Sequence, residues 1–186
     1  MNTYKSLNKQ TFSKGNYSIV PIRMEDRFFI MKWRNEQMYH LRQKEYLTTE
    51  NQNKYFETHV KTLFDKEQPA QILFSYLEGN KCIGYGGLVH INWNDHHSEL
   101  SFIMDTQLEN NFFEFHWKSF LVLIEQVAFK TLDLNKLSTY AFDLRPYIYK
   151  IFEDAGYCKE AVLRDHILIN EKYINIVIHS KFNDYE

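Results

Sequence analysis

The sequence predicts an α/β protein of the α+β type: a central mixed, mostly antiparallel sheet of about seven strands with about four helices packed on it. Two observations carry this. Stretches of alternating apolar residues come in hairpin pairs, "AQILFSYLEG" with "CIGYGGLVHINW" and "EAVLRDHILI" with "YINIVIHSKF". Between them lie stretches with apolar residues at helical spacing, the longest from Asp105 to Phe129.

The elements follow in order. Residues 1–16 are polar and end in "KGN"; they read as a loose arm or an edge addition before a single domain over 17–182. "YSIVPIR" is a short strand whose Pro21 suggests an edge. "MEDRFFIMKWRNE" is helical, with Phe28, Phe29, Met31 and Trp33 as its apolar positions. A second helix opens on a capping box of Thr49 and Gln52 and buries Phe56, Val60, Leu63 and Phe64. The first hairpin turns just after Gly79, and "HHSELSFIMD" adds a third strand. In the long helix Phe113, Trp117, Phe120, Ile124 and Val127 share a face, widened by Leu121, Leu123 and Ala128. "KLSTYAF" is a strand. "RPYIYKIFEDAG" is a short helix with Pro146 in its first turn and Gly156 at its C-terminal cap. "NEK" joins the last two strands.

Composition excludes several classes. A net charge of −2 with no basic run argues against nucleic acid. No stretch of 18 apolar residues exists and the N-terminus has no apolar signal core, so the expectation is a cytoplasmic chain with no membrane span. Cys82 and Cys158 stand far apart, with neither a metal spacing nor a disulfide framework. His96 and His97 are adjacent on a strand and point to opposite faces, so no metal is expected. Gly84, Gly86 and Gly87 lie inside a strand, which suits a bulge or a close approach better than a phosphate loop.

Three stretches resemble the GNAT superfamily of acyl-CoA-dependent N-acyltransferases: "MKWRNE", "GYGGLVHINWNDHHSELSFIMD" and "FEDAGYCKEAVLRDHILINEKYINIVIHSKF". The likeness is greatest to branches that acetylate ribosomal-protein N-termini or nucleotide-linked amino sugars. In the last stretch Gly156, Tyr157, Glu160, Leu163, Arg164, Asp165, Asn170, Lys172 and Tyr173 fit the family pattern. The resemblance spans roughly residues 17–182. It implies a GNAT fold in which two central strands splay apart and acetyl-CoA, the co-substrate, enters the gap. Its pantetheine arm would run along Phe102, Ile103 and Met104, and backbone N–H groups near Ile103 and Met104 would polarise the thioester. Its pyrophosphate would meet "TQLENNFF" at a helix N-terminus.

The chain departs from the family at two places. The family's glycines in that turn are replaced around Asn110, Asn111 and Phe112. Asn tolerates the left-handed region, so an anion nest is one reading. A structural turn in a fold that no longer binds CoA is the other, and Glu109 favours it. On the short helix, Arg145 and Phe152 occupy the family's Asn and Tyr positions. Phenylalanine cannot protonate a leaving thiolate, so Tyr149 is the candidate acid and Arg145 a candidate phosphate ligand. Glu99 is the candidate base for the amine, or simply a strand carboxylate. Trp33, Arg34 and Tyr85 are candidates for binding the acceptor, with Trp33 also suiting the core.

The functional expectation is acetyl transfer to a primary amine of a small molecule, with a nucleotide-linked amino sugar slightly preferred and a homodimer allowed. The alternatives are a protein N-terminal acetyltransferase, a binding module without chemistry, and an acyltransferase fed by a carrier protein.

Overall fold

A computed structural model describes residues 2–183. The elements are β1 (Phe12–Lys14), β2 (Tyr17–Pro21), α1 (Arg27–Glu36), α2 (Thr49–Tyr55), α3 (Lys61–Phe64), β3 (Ile72–Glu78), β4 (Lys81–Asn92) and β5 (His97–Met104). They continue as α4 (Thr106–Glu125), β6 (Lys136–Ser138), β7 (Ala141–Phe142), α5 (Tyr147–Asp154), β8 (Cys158–Ile169) and β9 (Lys172–Phe182). A π-helical turn, Phe56–Val60, joins α2 to α3 as one rod, and another, Gln126–Thr131, extends α4. Nine strands form one sheet in the order β1-β2-β3-β4-β5-β6-β9-β7, with β8 paired to β9. All pairings are antiparallel except β5 with β6.

The sheet exceeds the expected seven strands for two reasons. The N-terminal segment supplies β1 as an edge strand, and it buries Tyr4, Leu7 and Phe12 in the core. The Tyr4 hydroxyl donates to the Leu73 carbonyl and accepts from the Leu73 amide, so the sheet's backbone anchors the segment. The other addition is local: "KLSTYAF" follows β9 as two short strands rather than one.

Local chemistry sets the remaining boundaries. Thr48, not Thr49, caps α2, its side chain accepting from the Asn51 amide. Gln52, expected in the cap, is buried and donates instead to the Arg27 carbonyl, tying α2 to α1. On α1 the buried residues are Ile30 and Trp33, while Phe28 and Phe29 are exposed. Asn170 and Glu171 both take positive φ, the twist that a two-residue turn between antiparallel strands requires.

Helices α1–α3 cover one face of the sheet and α4 and α5 the other. Gly86 leaves room for α4: a Cβ there would meet the Phe120 ring at 2.9 Å and the Ser101 carbonyl at 2.2 Å. Phe120 in turn stacks flat on Phe102 of β5, with ring centroids 4.0 Å apart. The bulge expected of the glycine-rich strand lies beside Gly84, where the β3–β4 register shifts between Tyr76 and Leu77; a separate β4–β5 shift lies past Val89, where His90 takes φ 51°.

The sheet has one discontinuity. β5 and β6 pair only from His97 to Glu99, opposite Lys136 to Ser138. Beyond Ser138 the chain stays with β9, the Thr139 amide donating to the His179 carbonyl before β7 pairs at Val177 and Ile176. The edge of β5 from Leu100 onward therefore loses its neighbour. Among the described residues, no helix is long and apolar enough to cross a membrane.

Candidate active site

The unpaired edge of β5 exposes specific backbone groups. The Asp105 amide donates to the Ile83 carbonyl of the β4 side. Backbone groups alternate direction along a strand. Ser101 and Ile103 therefore turn their amides toward β4, while Phe102 and Met104 turn theirs into the gap; the Leu100 amide, on the same side, closes the ladder with β6 at Ser138. This corrects the expectation for Ile103, whose amide is used within the sheet. The Met104 carbonyl accepts from the buried Gln37 side chain, which fixes α1 against this edge.

The gap holds a cavity of about 220 Å³. Trp117 and Phe152 wall it, packed edge-to-face at 5.4 Å. Neither Phe112 nor Phe113 lines it. Phe113 packs instead on Tyr147, and Phe112 is exposed on the outer side of α4. His40 also lines the cavity, and burial, with the nearby Arg145 charge second, pushes its pKa down to about 3. The ring is thus a neutral wall near pH 7.

A second cavity of about 390 Å³ lies between the sheet and α1–α2. Arg34, Arg42, Gln71, Val89, His90 and Ser101 line both cavities, so the two meet there. Arg34 is set by a chain of contacts that begins in "WRN". Asn35 accepts from the Leu47 amide and donates to its carbonyl, pinning the loop after α1. Gln43 of that loop donates to Asn35 and accepts from Arg34 Nε at 2.9 Å. Arg34 also donates to the Tyr85 hydroxyl at 2.6 Å. Trp33 is only 2% exposed within the core, so it offers no face to a ligand. Of the two readings of Trp33, the core is the one realised, and its candidacy as an acceptor ligand is withdrawn.

Glu99 lines the first cavity and is gripped by a residue that the sequence did not single out. Arg42 donates to both carboxylate oxygens at 2.9 Å, and its guanidinium lies 3.9 Å over the Tyr140 ring. The signal for Arg42 was absent because its loop has no periodicity and its partner is 57 positions away.

The glycine-free turn is helix. Asp105 caps α4, accepting from the Gln107 amide, and helical backbone begins at Thr106. Asn110 and Asn111 have no positive φ, so the left-handed nest inferred from them is not formed. Asn111 instead donates to the Gln107 carbonyl at 2.9 Å, one turn back. The break comes at Phe112, with φ −136° and ψ 27°. Glu109 faces Arg145 at 2.6 Å, and both side chains are nearly buried. Of the two, Arg145 lines the gap. Tyr149 does not line the gap; its hydroxyl donates to Asp143 at 2.8 Å and its ring stacks on His179. The thiolate-protonating role expected of Tyr149 is not available from that position, and burial together with the Asp143 bond raises its pKa. Phe152, at the family's tyrosine position, does line the gap. Among the described residues, no cluster of three or more His, Cys, Asp or Glu side chains forms a metal site.

The model of the acetyltransferase (GNAT) domain family matches residues 19–178. No curated protein matches the sequence. Among solved structures, spermidine N-acetyltransferase from Vibrio cholerae in complex with CoA and spermine is 17% identical, with TM-score 0.78 over 91% of this chain and 97% of that one. Ribosomal-protein-S5-alanine acetyltransferase from Vibrio fischeri is 18% identical, with TM-score 0.76 over 95% and 98%. A dodecameric form of the Vibrio cholerae enzyme is 17% identical, with TM-score 0.74 over 91% and 95%.

Proposed function

Because the chain belongs to the GNAT acetyltransferase family, we propose that it transfers an acetyl group from acetyl-CoA to a primary amine of a small molecule. The observation that carries the proposal is the junction of the two cavities. One is bordered by the free backbone edge of β5, the other by polar side chains of α1, α2 and β4, and Glu99 stands beside the place where they join. A donor and an acceptor can meet there without crossing the sheet.

The residues fit a pantetheine arm. Outward amides at Phe102 and Met104 offer the hydrogen bonds of a strand edge, and Trp117 and Phe152 supply an apolar wall. Acetyl-CoA, when bound, contributes the activated acetyl group as a thioester. The outward Phe102 and Met104 amides are oriented to polarise a carbonyl oxygen. At the mouth, Arg145 would take a phosphate in exchange for Glu109. Glu99 would accept a proton from the acceptor's ammonium, directly or through water, once Arg42 shifts its grip, leaving the neutral amine that attacks the thioester. Phe152 cannot act as an acid, so the thiol leaves as thiolate, which its intrinsic pKa near 8.5 permits.

A nucleotide-linked amino sugar is one acceptor that suits this reading, and a protein N-terminus is the other class. The reading also makes the chain a cytoplasmic enzyme, and it allows a homodimer. One observation favours a binding module without chemistry: Arg145, the candidate phosphate ligand, is already paired with Glu109.

Calorimetric titration with acetyl-CoA separates the two. Micromolar to low-millimolar binding, together with release of free thiol when amines are added, supports the transferase. No heat at millimolar ligand sinks it and leaves the binding module.

A further inference from the structure

We propose that the acceptor is itself an anion: a primary amine whose skeleton also carries a phosphate or carboxylate, held by Arg34. This rests on the acetyl-transfer reading and names the chemistry of its acceptor. Arg34 lines both cavities at their junction. Its guanidinium carries five N–H groups. Nε is taken by Gln43 and one terminal nitrogen by the Tyr85 hydroxyl, and both partners are neutral. Among the described residues, no carboxylate lies within ion-pairing distance of it.

The other arginines at this site differ. Arg42 is paired with Glu99 and Arg145 with Glu109. A cation drawn out of water normally finds a counter-charge. At a site that takes a ligand, the missing counter-charge is the ligand's own, and the planar guanidinium fork matches phosphate or carboxylate oxygens in pairs. The chain of Asn35 and Gln43 holds that fork in place before anything binds, which lowers the entropic cost of using it.

The charges around the two cavities point the same way. Arg34, Arg42 and Arg145 line them, and among the described residues Glu99 is the single lining carboxylate, already gripped through both oxygens. A polyamine would bring ammonium groups beyond the reacting one into a space with no carboxylate left for them. An anionic amine meets Arg34 instead, with its nitrogen directed toward Glu99.

The test is calorimetric titration of inorganic phosphate, acetate and spermidine into the protein, free and saturated with CoA. At least one anion is expected to bind, with phosphate against acetate ranking the two sources of oxyanion, and spermidine at least tenfold weaker than the better anion. Arg34→Gln is expected to weaken anion binding at least tenfold, and Lys150→Gln, exposed on α5 and lining neither cavity, to leave it within twofold. The proposal is overturned if neither anion binds at millimolar concentration, if spermidine binds more tightly than both, or if Arg34→Gln leaves anion binding unchanged. Should Arg34→Gln not fold, Tyr85→Phe frees one more N–H of Arg34 and is expected to keep anion binding; its loss overturns the proposal. CoA saturation is scored separately. A protein that takes the anion through Arg34 but not CoA refutes acetyl transfer alone.

Discussion

Arg42 occupies both oxygens of Glu99, so the carboxylate reaches an acceptor amine only when the guanidinium turns away or a water intervenes. Glu99→Gln is therefore expected to lower kcat by about 10²-fold near neutral pH. The deficit shrinks at high pH, where the amine loses its proton unaided. A variant with full thiol-release activity at every pH would remove Glu99 from the mechanism. Tyr149 presents the opposite case. Its hydroxyl already serves Asp143 outside the gap, so Tyr149→Phe should leave kcat within about twofold, a general acid being worth roughly 10²–10⁴. A hundredfold loss would restore it as the acid. His40 links the site to pH through stability. Its folded pKa, about 3, lies below the unfolded value of 6.5. Between these values the unfolded chain binds a proton that the folded chain does not, so stability is complete above 6.5 and is lost as pH falls toward 3. The loss by pH 4 is on the order of 3 kcal/mol from this group. Urea melts at pH 7 and pH 4 check it: the pH 7 minus pH 4 difference should be smaller in His40→Gln by about that amount, and an equal difference would refute it.

At the scale of elements, the strand-to-helix junction and the β4 glycines matter most. α4 begins one residue after β5, because Asp105 caps it at once and no glycine interrupts the first turn. The helix breaks at Phe112 instead, so the polar turn became six helical residues and a kink. Gly87 of β4 has φ 151°, and a Cβ there would sit 2.1 Å from the Ile72 carbonyl. Both facts forbid a side chain, one through the backbone and one through the neighbouring strand. Gly87→Ala should cost about 2–4 kcal/mol. Thermal or urea unfolding measures it, and a change under 1 kcal/mol would mean that β3 and β4 can separate without loss.

The whole molecule is a sheet in two parts. β1 to β5 form one, and β6 to β9 the other, and between them the ladder consists of three residue pairs. The rest of the boundary is bridged by side chains, among them Arg42 with Tyr140 and Glu109 with Arg145. A donor lying in the gap would add a bridge and replace one. Glu109→Gln is thus expected to lower the stability of the free protein by about 1–3 kcal/mol, since it leaves a nearly buried guanidinium without its partner. It should also enlarge the thermal shift produced by acetyl-CoA, because Arg145 is then free for phosphate. Saturation at 100 times Kd adds about 2.7 kcal/mol in any case. A smaller shift in the variant than in the parent would show that Glu109 assists the donor rather than competing with it.

By itself the sequence determined the order of elements, the apolar faces of α2–α3 and α4, the hairpins and the family, because periodicity and turn chemistry act over a few residues. It also carried Arg34 and Glu99 as candidates through family resemblance. Only the tertiary structure decided what those residues face. Arg34 meets Tyr85 across 51 positions and Arg145 meets Glu109 across 36, and nothing local records such pairs. The register of β4 against β5 decided that Phe102 and Met104, not Ile103, turn their amides into the gap. The packing of α5 decided that Phe152 faces the gap and Tyr149 does not. Direction and partnership are properties of the assembled sheet, where a single step along a strand reverses every group, so they appear only once the strands have been placed side by side.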